Sequence, residues 1–356
     1  MALDRIRLTS FRNHADTALD QTARFNLLVG ENGAGKTNVL EALSLLAPGR
    51  GLRRAALTDI AAHGAQNGFA VSADLGSDVQ LGTGARPDRP GRRVVQVNGA
   101  DVPAVQLGEW LSLGWLTPAM DRLFMDSAGA RRRFLDRQVL ALEPGHARNA
   151  AKLEAALRER NRLLGEPAEP DPQWLTAIEG QIGEAGAAVA QARARLVTML
   201  SAALAQLPEA PFARPALDYR PGGPLDPAEL TAALADSRRR DRAAQRTLVG
   251  PHRDELGVTM AGKGEEAAAC STGEQKAMLI AITLAHAALL SPDRPAVLLL
   301  DEVAAHLDPV RREALFDRLG QGNAQVWLTG TELAPFEAIT KQAAVWQVSA
   351  GRAERK

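Results

Sequence analysis

One glycine-rich segment constrains the fold of this chain more than any other. Residues 30–37 read Gly-Glu-Asn-Gly-Ala-Gly-Lys-Thr, which satisfies every constrained position of the phosphate-loop pattern G-x-x-x-x-G-K-[ST]. Such a loop needs a buried strand before it and a helix after it, because loop amides and the helix N-terminus bind phosphate together. The sequence predicts both, as an apolar strand over 23–29 and a helix over 37–47 that stops at Pro48-Gly49.

The side chains of this loop suit a nucleoside triphosphate. Lys36 would reach the β- and γ-phosphates, and the hydroxyl of Thr37 would bind Mg²⁺. We therefore predict a site for ATP and Mg²⁺. Its loop residues are Gly30, Glu31, Asn32, Gly33, Ala34, Gly35, Lys36 and Thr37.

The composition describes a globular chain with an ordinary core. A chain of 356 residues with 46% hydrophobic content can bury a large apolar interior. Its single cysteine, Cys270, excludes an internal disulfide and a zinc site built from several thiolates. Because the N-terminus is charged and no apolar run is long enough to span a bilayer, we expect a cytoplasmic protein without a membrane segment.

A second motif supplies carboxylates. The apolar strand predicted over 296–300 ends in Asp301 and Glu302. In phosphate-loop enzymes the first carboxylate orients Mg²⁺, and an acid one position later can polarise the attacking water as a general base. We assign these roles to Asp301 and Glu302. The strand predicted over 325–328 ends at Thr329, at the position of a nucleotide-sensing switch, where a plain strand-ending threonine is the alternative.

The segment before the helix predicted over 276–290 resembles the ABC signature motif. In that class the signature of one subunit contacts the γ-phosphate held by another subunit, so ATP joins the two. The alternative is an ordinary serine N-cap closed by a capping-box glutamate. The signature residues are Ser271, Thr272, Gly273, Glu274 and Gln275, and Asp308, followed by Pro309, occupies the D-loop position and can also cap the next helix.

Further stretches resemble the ATPase heads of the SMC-like group and, within it, the RecF family. Residues 130–136, 157–164, 247–255 and 271–276 are similar to RecF segments, and the resemblance covers essentially the whole chain. The Phe-Arg-Asn sequence at 11–13 belongs to a recurring motif of these heads, which implies that Arg12 lies near phosphate.

This resemblance implies an ATP-dependent homodimer that binds double-stranded DNA, gapped DNA or single-strand/double-strand junctions. It also implies cooperation with RecO and RecR in loading RecA, with slow ATP hydrolysis as the switch. Since the formal net charge is zero, DNA contacts must come from local basic clusters. Our candidates are Arg131, Arg132 and Arg133; ion pairing with acids such as Asp136 is the structural alternative, and 92–93 and 238–240 are further basic clusters.

The predicted fold class is α/β, an ABC-type ATPase head with a mixed sheet, a β-rich subregion and an inserted helical lobe. The predicted domains are 1–110 and 251–356 for the two parts of the ATPase head and 111–250 for the lobe. Within them we expect a hairpin at Asn98-Gly99, helices over 130–142, 147–164 and 174–207, and a helix capped by Asp226.

Two other functions share part of this pattern. A transporter nucleotide-binding subunit has the phosphate loop, the signature and the paired carboxylates, but it predicts a histidine where Thr329 stands and a shorter helical subdomain. A phosphate-loop kinase of small molecules needs no signature contact between subunits, so Ser271→Arg should matter little to it.

Overall fold

The structure, a computed structural model, describes residues 2–62, 68–76, 78–208, 210–290 and 293–356. The chain forms two compact units. Unit 1 comprises Met1–Asp121 and Thr283–Lys356, and unit 2 comprises Arg122–Ile282. Across the described residues, no helix is both long enough and apolar enough to cross a membrane.

Unit 1 contains most of the strands, in two six-stranded sheets, whereas unit 2 is mainly helical. The strands are β1 (Arg5–Phe11), β2 (His14–Asp20), β3 (Phe25–Val29), β4 (Phe69–Leu75), β5 (Val79–Arg86), β6 (Arg89–Val97), β7 (Ala100–Asp101), β8 (Ser112–Leu116), β9 (Pro215–Arg220), β10 (Glu255–Met260), β11 (Glu265–Glu266), β12 (Ala296–Leu300), β13 (Gln325–Gly330), β14 (Ala343–Ser349) and β15 (Arg352–Arg355). The helices are α1 (Lys36–Ser44), α2 (Leu107–Trp110), α3 (Ala128–Leu142), α4 (His146–Leu164), α5 (Pro172–Gln206), α6 (Pro227–Ala244), α7 (Thr272–Ala288), α8 (Pro309–Gln321) and α9 (Glu337–Thr340).

The mixed sheet of unit 1 has the order β15-β14-β3-β13-β12-β8. Its strands from β14 to β8 run parallel, and β15 pairs antiparallel at the edge. Every residue of β3, β12 and β13 is buried, as expected for parallel strands covered on both faces. Because β3, β12 and β13 are neighbours and parallel, their carboxyl ends meet at one edge, where the phosphate loop, Asp301 and Thr329 lie.

The antiparallel sheet of unit 1 has the order β2-β1-β4-β5-β6-β7. The predicted hairpin turn is confirmed between β6 and β7, where Val97 pairs with Ala100 and both Asn98 (φ 50°) and Gly99 (φ 79°) have the positive φ of a type I′ turn. The chain reverses at Arg12 and Asn13 into β2, so β1 and β3 belong to different sheets.

Helix α1 lies within the core that joins the two sheets of unit 1. Its Val39, Leu40 and Leu43 are fully buried and belong to one apolar cluster with Ile6 of the antiparallel sheet and Trp327 of the mixed sheet. A helix that contacts sheets on two sides must be apolar over most of its circumference. This packing fixes the helix that follows the phosphate loop.

Unit 2 confirms the predicted helices in position and approximate length. Helices α4, α5 and α6 share an apolar core that includes Leu153, Ile182 and Leu230. A side chain at Gly183 of α5 would lie 2.1 Å from Thr231 Oγ1, so α5 and α6 approach closely there. Asp226 caps α6 as predicted.

Two strands fall where the sequence predicted none. Strand β9 lies within 165–224, where the sequence predicted no strand. It is an edge strand of a three-stranded sheet in unit 2 with the order β11-β10-β9. Strand β8 starts just after residue 110, the predicted end of the first domain part, and pairs in parallel with β12 in the mixed sheet. The two units divide at 121/122 and within α7, whereas the predicted domains divide at 110/111 and 250/251.

Candidate ATP site and signature segment

The phosphate loop connects β3 to α1 in a conformation that its glycines permit. Gly33 and Gly35 have positive φ, and a side chain at Gly30 would lie 2.1 Å from the carbonyl oxygen of Val348. The ammonium group of Lys36 donates to the carbonyls of Gly30 at 2.7 Å and Glu31 at 2.8 Å. The lysine is therefore held across the mouth of its own loop, where β- and γ-phosphates would be bound.

The outer side of the loop is held by residues that the sequence analysis did not assign. Asn13 Nδ2 donates to the Ala34 carbonyl at 3.0 Å, and so does the backbone N–H of Gly351 at 3.0 Å. The His14 ring donates through Nε2 to the Gly35 carbonyl at 3.1 Å. Carbonyls that point outward leave the loop amides to face inward, which is the arrangement an anion requires.

His14 contacts the loop from a buried position. Its side chain is fully buried, and that burial lowers its pKa. Since a carbonyl can only accept, Nε2 carries a proton, while Nδ1 lies 2.9 Å from the hydroxyl of Thr17, which in turn donates to the Gly351 carbonyl at 3.2 Å. The Phe-Arg-Asn motif at 11–13 carries the sequence signal for the contact of Asn13 with the loop, whereas the prediction from it concerned Arg12.

Arg12, predicted to lie near phosphate, makes its contacts with the helix after the loop. Its guanidinium donates to both carboxylate oxygens of Glu41, at 2.7 and 2.9 Å, and to the carbonyl of Asp59. Glu41 is buried in α1 and also accepts from Arg53 at 2.8 Å. The hydrogen bond to Glu41 raises the pKa of Arg12. A contact between Arg12 and phosphate stays a prediction.

The predicted metal ligands meet directly. The Thr37 hydroxyl lies 3.0 and 3.1 Å from the two carboxylate oxygens of Asp301, although the two residues are far apart in the sequence. Thr329 donates its hydroxyl to the same carboxylate at 2.8 Å and accepts from the backbone N–H of Glu302, also at 2.8 Å. One hydroxyl therefore joins the Asp301 carboxylate to the backbone of Glu302.

Glu302, the predicted general base, has an unusual backbone. Its φ of 53° lies in the left-handed region, which a residue with a side chain rarely adopts. Burial lowers the pKa of Lys36, while the negative charges of Glu302 and Asp301 oppose that shift. The electrostatic coupling indicates that the cation and the two carboxylates belong to one site.

The signature residues lie at the start of α7 in unit 2. Ser271 and Glu274 form a reciprocal pair, in which the backbone N–H and the hydroxyl of Ser271 both donate to the Glu274 carboxylate at 2.9 Å. Lys263 forms an ion pair with the same carboxylate, and these contacts lower the pKa of Glu274 to about 2. The capping arrangement is therefore present, and it places the serine and the helix N-terminus together.

Other predicted residues take local positions. Gln275 donates to the Cys270 carbonyl at 2.9 Å, which anchors the signature turn. Asp308 caps α8 by accepting from the backbone N–H of Arg311 at 2.9 Å. The D-loop role of Asp308 and the contact of the signature with a second subunit stay predictions.

The three candidate DNA-binding arginines differ in how many contacts their guanidinium groups already make within the chain. Arg131 forms a two-pronged ion pair with Glu255, at 2.6 and 2.8 Å, and Arg132 donates to the Asp254 carbonyl at 2.8 Å. Arg133 is exposed. Asp136, which we expected among the partners of this cluster, instead pairs with Arg193 at 2.8 Å. Arg131 and Arg132 therefore have structural contacts within unit 2.

Comparison with known proteins places this geometry in a family. The sequence model of the RecF/RecN/SMC N-terminal domain matches residues 2–354. A protein of Brucella suis named DNA replication and repair protein RecF is 46% identical over 369 residues, covering 99% of this chain and 96% of its own length. A protein of the same name from Mesorhizobium japonicum is 47% identical over 370 residues, covering 98% and 96%.

Solved structures agree on the fold. A structure described as the recombination mediator protein RecF-ATP in the RecFOR pathway has a TM-score of 0.85 at 21% identity, covering 99% of both chains. The SMC head domain of Pyrococcus furiosus, with an extended coiled coil and the ScpA C-terminal domain, has a TM-score of 0.53 at 16% identity, covering 100% of this chain and 96% of that one. The predicted α/β ATPase-head fold is confirmed.

Proposed function

Because this chain belongs to the RecF family of RecF/RecN/SMC proteins, we propose that it is an ATPase of DNA replication and repair in which ATP joins two copies of the chain on DNA. The observation that carries this proposal is the meeting of Thr37, Asp301 and Thr329 beside the phosphate loop. One residue from the start of α1 and two from neighbouring strand ends are arranged there as a phosphate-hydrolysing site requires.

ATP binding would use the loop amides and Lys36, whose ammonium group already lies across the loop. Thr37 and Asp301 would hold Mg²⁺, since their converging hydroxyl and carboxylate oxygens are the hard ligands that this ion prefers. When bound, Mg²⁺ would neutralise charge that develops on the phosphate oxygens. The chain's own contribution is to orient the triphosphate and to fix the Asp301 carboxylate through two threonine hydroxyls.

Glu302 would act as the general base on the attacking water. Its backbone N–H is held by Thr329, so its carboxylate starts from a defined position. We propose slow turnover, because the reaction serves to end a closed state. Hydrolysis would then release the dimer and its DNA.

The second copy would contribute the signature. The Ser271 hydroxyl, which donates to the Glu274 carboxylate in this structure, would turn from that carboxylate to the γ-phosphate held by the other copy, at the N-terminus of α7. We propose double-stranded, gapped and junction DNA as ligands in the cytoplasm. We also propose RecR and RecO as partners, with RecA loading as the outcome. The RecFOR pathway named for the solved relatives supports this assignment.

The alternative functions lose support from the same findings. Relatives that match the chain over nearly its full length carry a DNA repair name, which does not favour a transporter subunit. Thr329 also occupies the strand end where a transporter would carry histidine. A small-molecule kinase needs no signature contact between subunits, so it offers no functional role for the Ser271 segment.

The test is ATP-dependent dimerisation of the Ser271→Arg variant. We expect it to bind ATP as a monomer but to dimerise at least about tenfold more weakly, since the added side chain blocks the seam. Ser127→Arg is the matched control because Ser127 is also a serine N-cap in unit 2, at α3. Sedimentation with ATP, with and without duplex or gapped DNA, gives the readout. Normal dimerisation of Ser271→Arg would refute the proposal.

A further inference from the structure

A basic cleft lies on the antiparallel sheet of unit 1. It has a volume of about 310 Å³ and is formed by the β5–β6 hairpin and the β7 edge. Four arginines and two aspartates line it, so its net charge is +2 although the whole chain is neutral. These charged residues are Arg86, Arg89, Arg92, Arg93, Asp88 and Asp101.

Arg93 anchors the cleft and leaves its charge without a counter-ion. Its guanidinium donates to the Thr83 hydroxyl at 2.8 Å and to the carbonyls of Gly49 at 2.6 Å and Ala47 at 3.1 Å, and it also contacts the Leu45 carbonyl. In the described part of the chain, none of these hydrogen-bond partners of Arg93 is a carboxylate. Burial lowers the pKa of Arg93 to about 10, so the group stays cationic at neutral pH.

The exposed arginines of the cleft are only loosely paired. Arg86 lies 3.8 Å from Asp101, and Arg89 lies 3.8 Å from Asp88, with side chains 60% and 66% exposed. On the same sheet, Arg5 and Arg7 each reach an aspartate at 2.8 Å. Arg92 is exposed as well. The guanidinium groups of the cleft can therefore take another anion at low cost.

We propose that this cleft binds the phosphate backbone of duplex DNA. The inference rests on the proposed function and extends it to a surface. Arginine forks match phosphate oxygens, and a hairpin of arginines beside a half-buried cation attracts a polyanion without reading its bases. The cleft takes this role in place of Arg131 and Arg132, whose guanidinium groups have contacts within unit 2.

The test compares two double variants that remove the same charge from the same sheet. R89Q/R92Q takes two arginines from the cleft, and R5Q/R7Q takes two that are paired elsewhere. With ATP present, we expect R89Q/R92Q to bind labelled duplex about tenfold more weakly or worse. The slope of log affinity against log salt should fall in magnitude by about 2, since about one unit is lost for each phosphate contact.

The control and the reverse change make the result specific. R5Q/R7Q should stay within about twofold of wild type, because any small change comes from net charge alone. D88N/D101N removes the acids of the cleft and should strengthen duplex binding. All variants should keep wild-type ATP binding, which shows that unit 1 is folded.

Two outcomes separate this inference from the function on which it rests. If wild-type protein binds duplex with ATP and R89Q/R92Q binds it equally well with an unchanged salt slope, the cleft has another ligand, such as an acidic protein segment. The inference is then overturned and the proposed function stands. If wild-type protein fails to bind duplex at all, both are overturned.

Discussion

Thr329 joins the Asp301 carboxylate to the backbone of Glu302 through one hydroxyl group. It donates to Asp301 and accepts from the backbone N–H of Glu302, and its side chain is 1% exposed. Buried groups of this kind are costly when one partner is removed, because the others keep their desolvation penalty without a bond. Thr329 therefore positions the Asp301 carboxylate and the Glu302 backbone even without bound nucleotide.

The Thr329→Val variant tests that positioning role. Valine keeps the shape of the side chain and removes the hydroxyl, so the Glu302 N–H and one Asp301 oxygen lose a partner. We expect kcat for ATP to fall about tenfold or more, as a loss of about 1–3 kcal/mol of positioning implies, with little change in ATP affinity. Thr329→Ser, which restores the hydroxyl, should recover most of the rate. Steady-state hydrolysis and equilibrium nucleotide binding separate the two quantities.

Among the elements, helices α4, α5 and α6 are joined by one buried arginine. Arg160 of α4 is fully buried and forms ion pairs with Glu179 at 3.1 Å and Asp241 at 2.6 Å, and it donates to the Thr247 hydroxyl at 2.9 Å. Arg238 also contacts Glu179. Alanine-rich helices could slide past one another with little change in packing. The network fixes the register of the three helices, because all of its charged groups are paired in only one alignment.

Arg160→Met should destabilise unit 2 by about 3–5 kcal/mol, since Asp241 would be buried without its charged partner. The control is Arg162→Met on the same helix, where the arginine pairs with Glu159 and its side chain is 51% exposed. That variant should unfold close to wild type. Urea unfolding followed by helical circular dichroism measures both. Equal midpoints for the two variants would contradict a structural role for the buried network.

A second contact between helices of unit 2 depends on pH. Burial alone would raise the pKa of Asp136, but the hydrogen bond from His146 and the ion pair with Arg193 lower it to about 2. A depressed carboxyl pKa stabilises the fold at pH values above the unfolded pKa, 3.8 in the absence of shifts, and the contribution disappears as pH falls through about 2. The contribution amounts to about 2 kcal/mol.

The prediction concerns the difference between wild type and Asp136→Asn. At pH 6 the wild type should be more stable, because asparagine cannot pair with the Arg193 charge. This advantage should shrink between about pH 4 and about pH 2, where the wild-type carboxyl becomes protonated. Urea unfolding at several pH values gives the comparison. A difference that stays constant down to pH 2 would count against the ion pair.

For the whole molecule, the proposed cycle predicts that Glu302→Gln uncouples binding from release. Glutamine keeps the size of the side chain but cannot act as a base, so turnover should fall by about 100-fold or more. The ATP-bound dimer should then persist, and its residence on DNA should lengthen. Glu313→Gln on α8 is an exposed control and should behave as wild type.

Sedimentation with saturating ATP and dissociation from labelled duplex measure this outcome. A Glu302→Gln protein that remains monomeric with ATP would refute the trapped dimer. A dimer that forms but leaves DNA at the wild-type rate would show that hydrolysis is not the release step.

Local motifs could be identified from the sequence because their chemistry depends on neighbouring residues. The phosphate loop, the Asp301-Glu302 strand end and the capped helices at Asp226 and Asp308 each occupy a short stretch of chain, and the structure has each in the expected element. Strands β8 and β9 escaped prediction, since a short strand is specified mainly by the partner strand that it pairs with.

A phosphate loop, paired carboxylates and a serine-capped helix can be identified from residue order alone, and similarity to RecF proteins identifies the family. Which distant residues meet could be seen only in the folded chain. Folding brings Thr37 into contact with Asp301, and it pairs Arg12 with Glu41 and Arg131 with Glu255. Arg89 and Arg92 remain exposed in a basic cleft. The physical reason is that backbone geometry is a local property, whereas the partner of a charge depends on how far-separated segments pack.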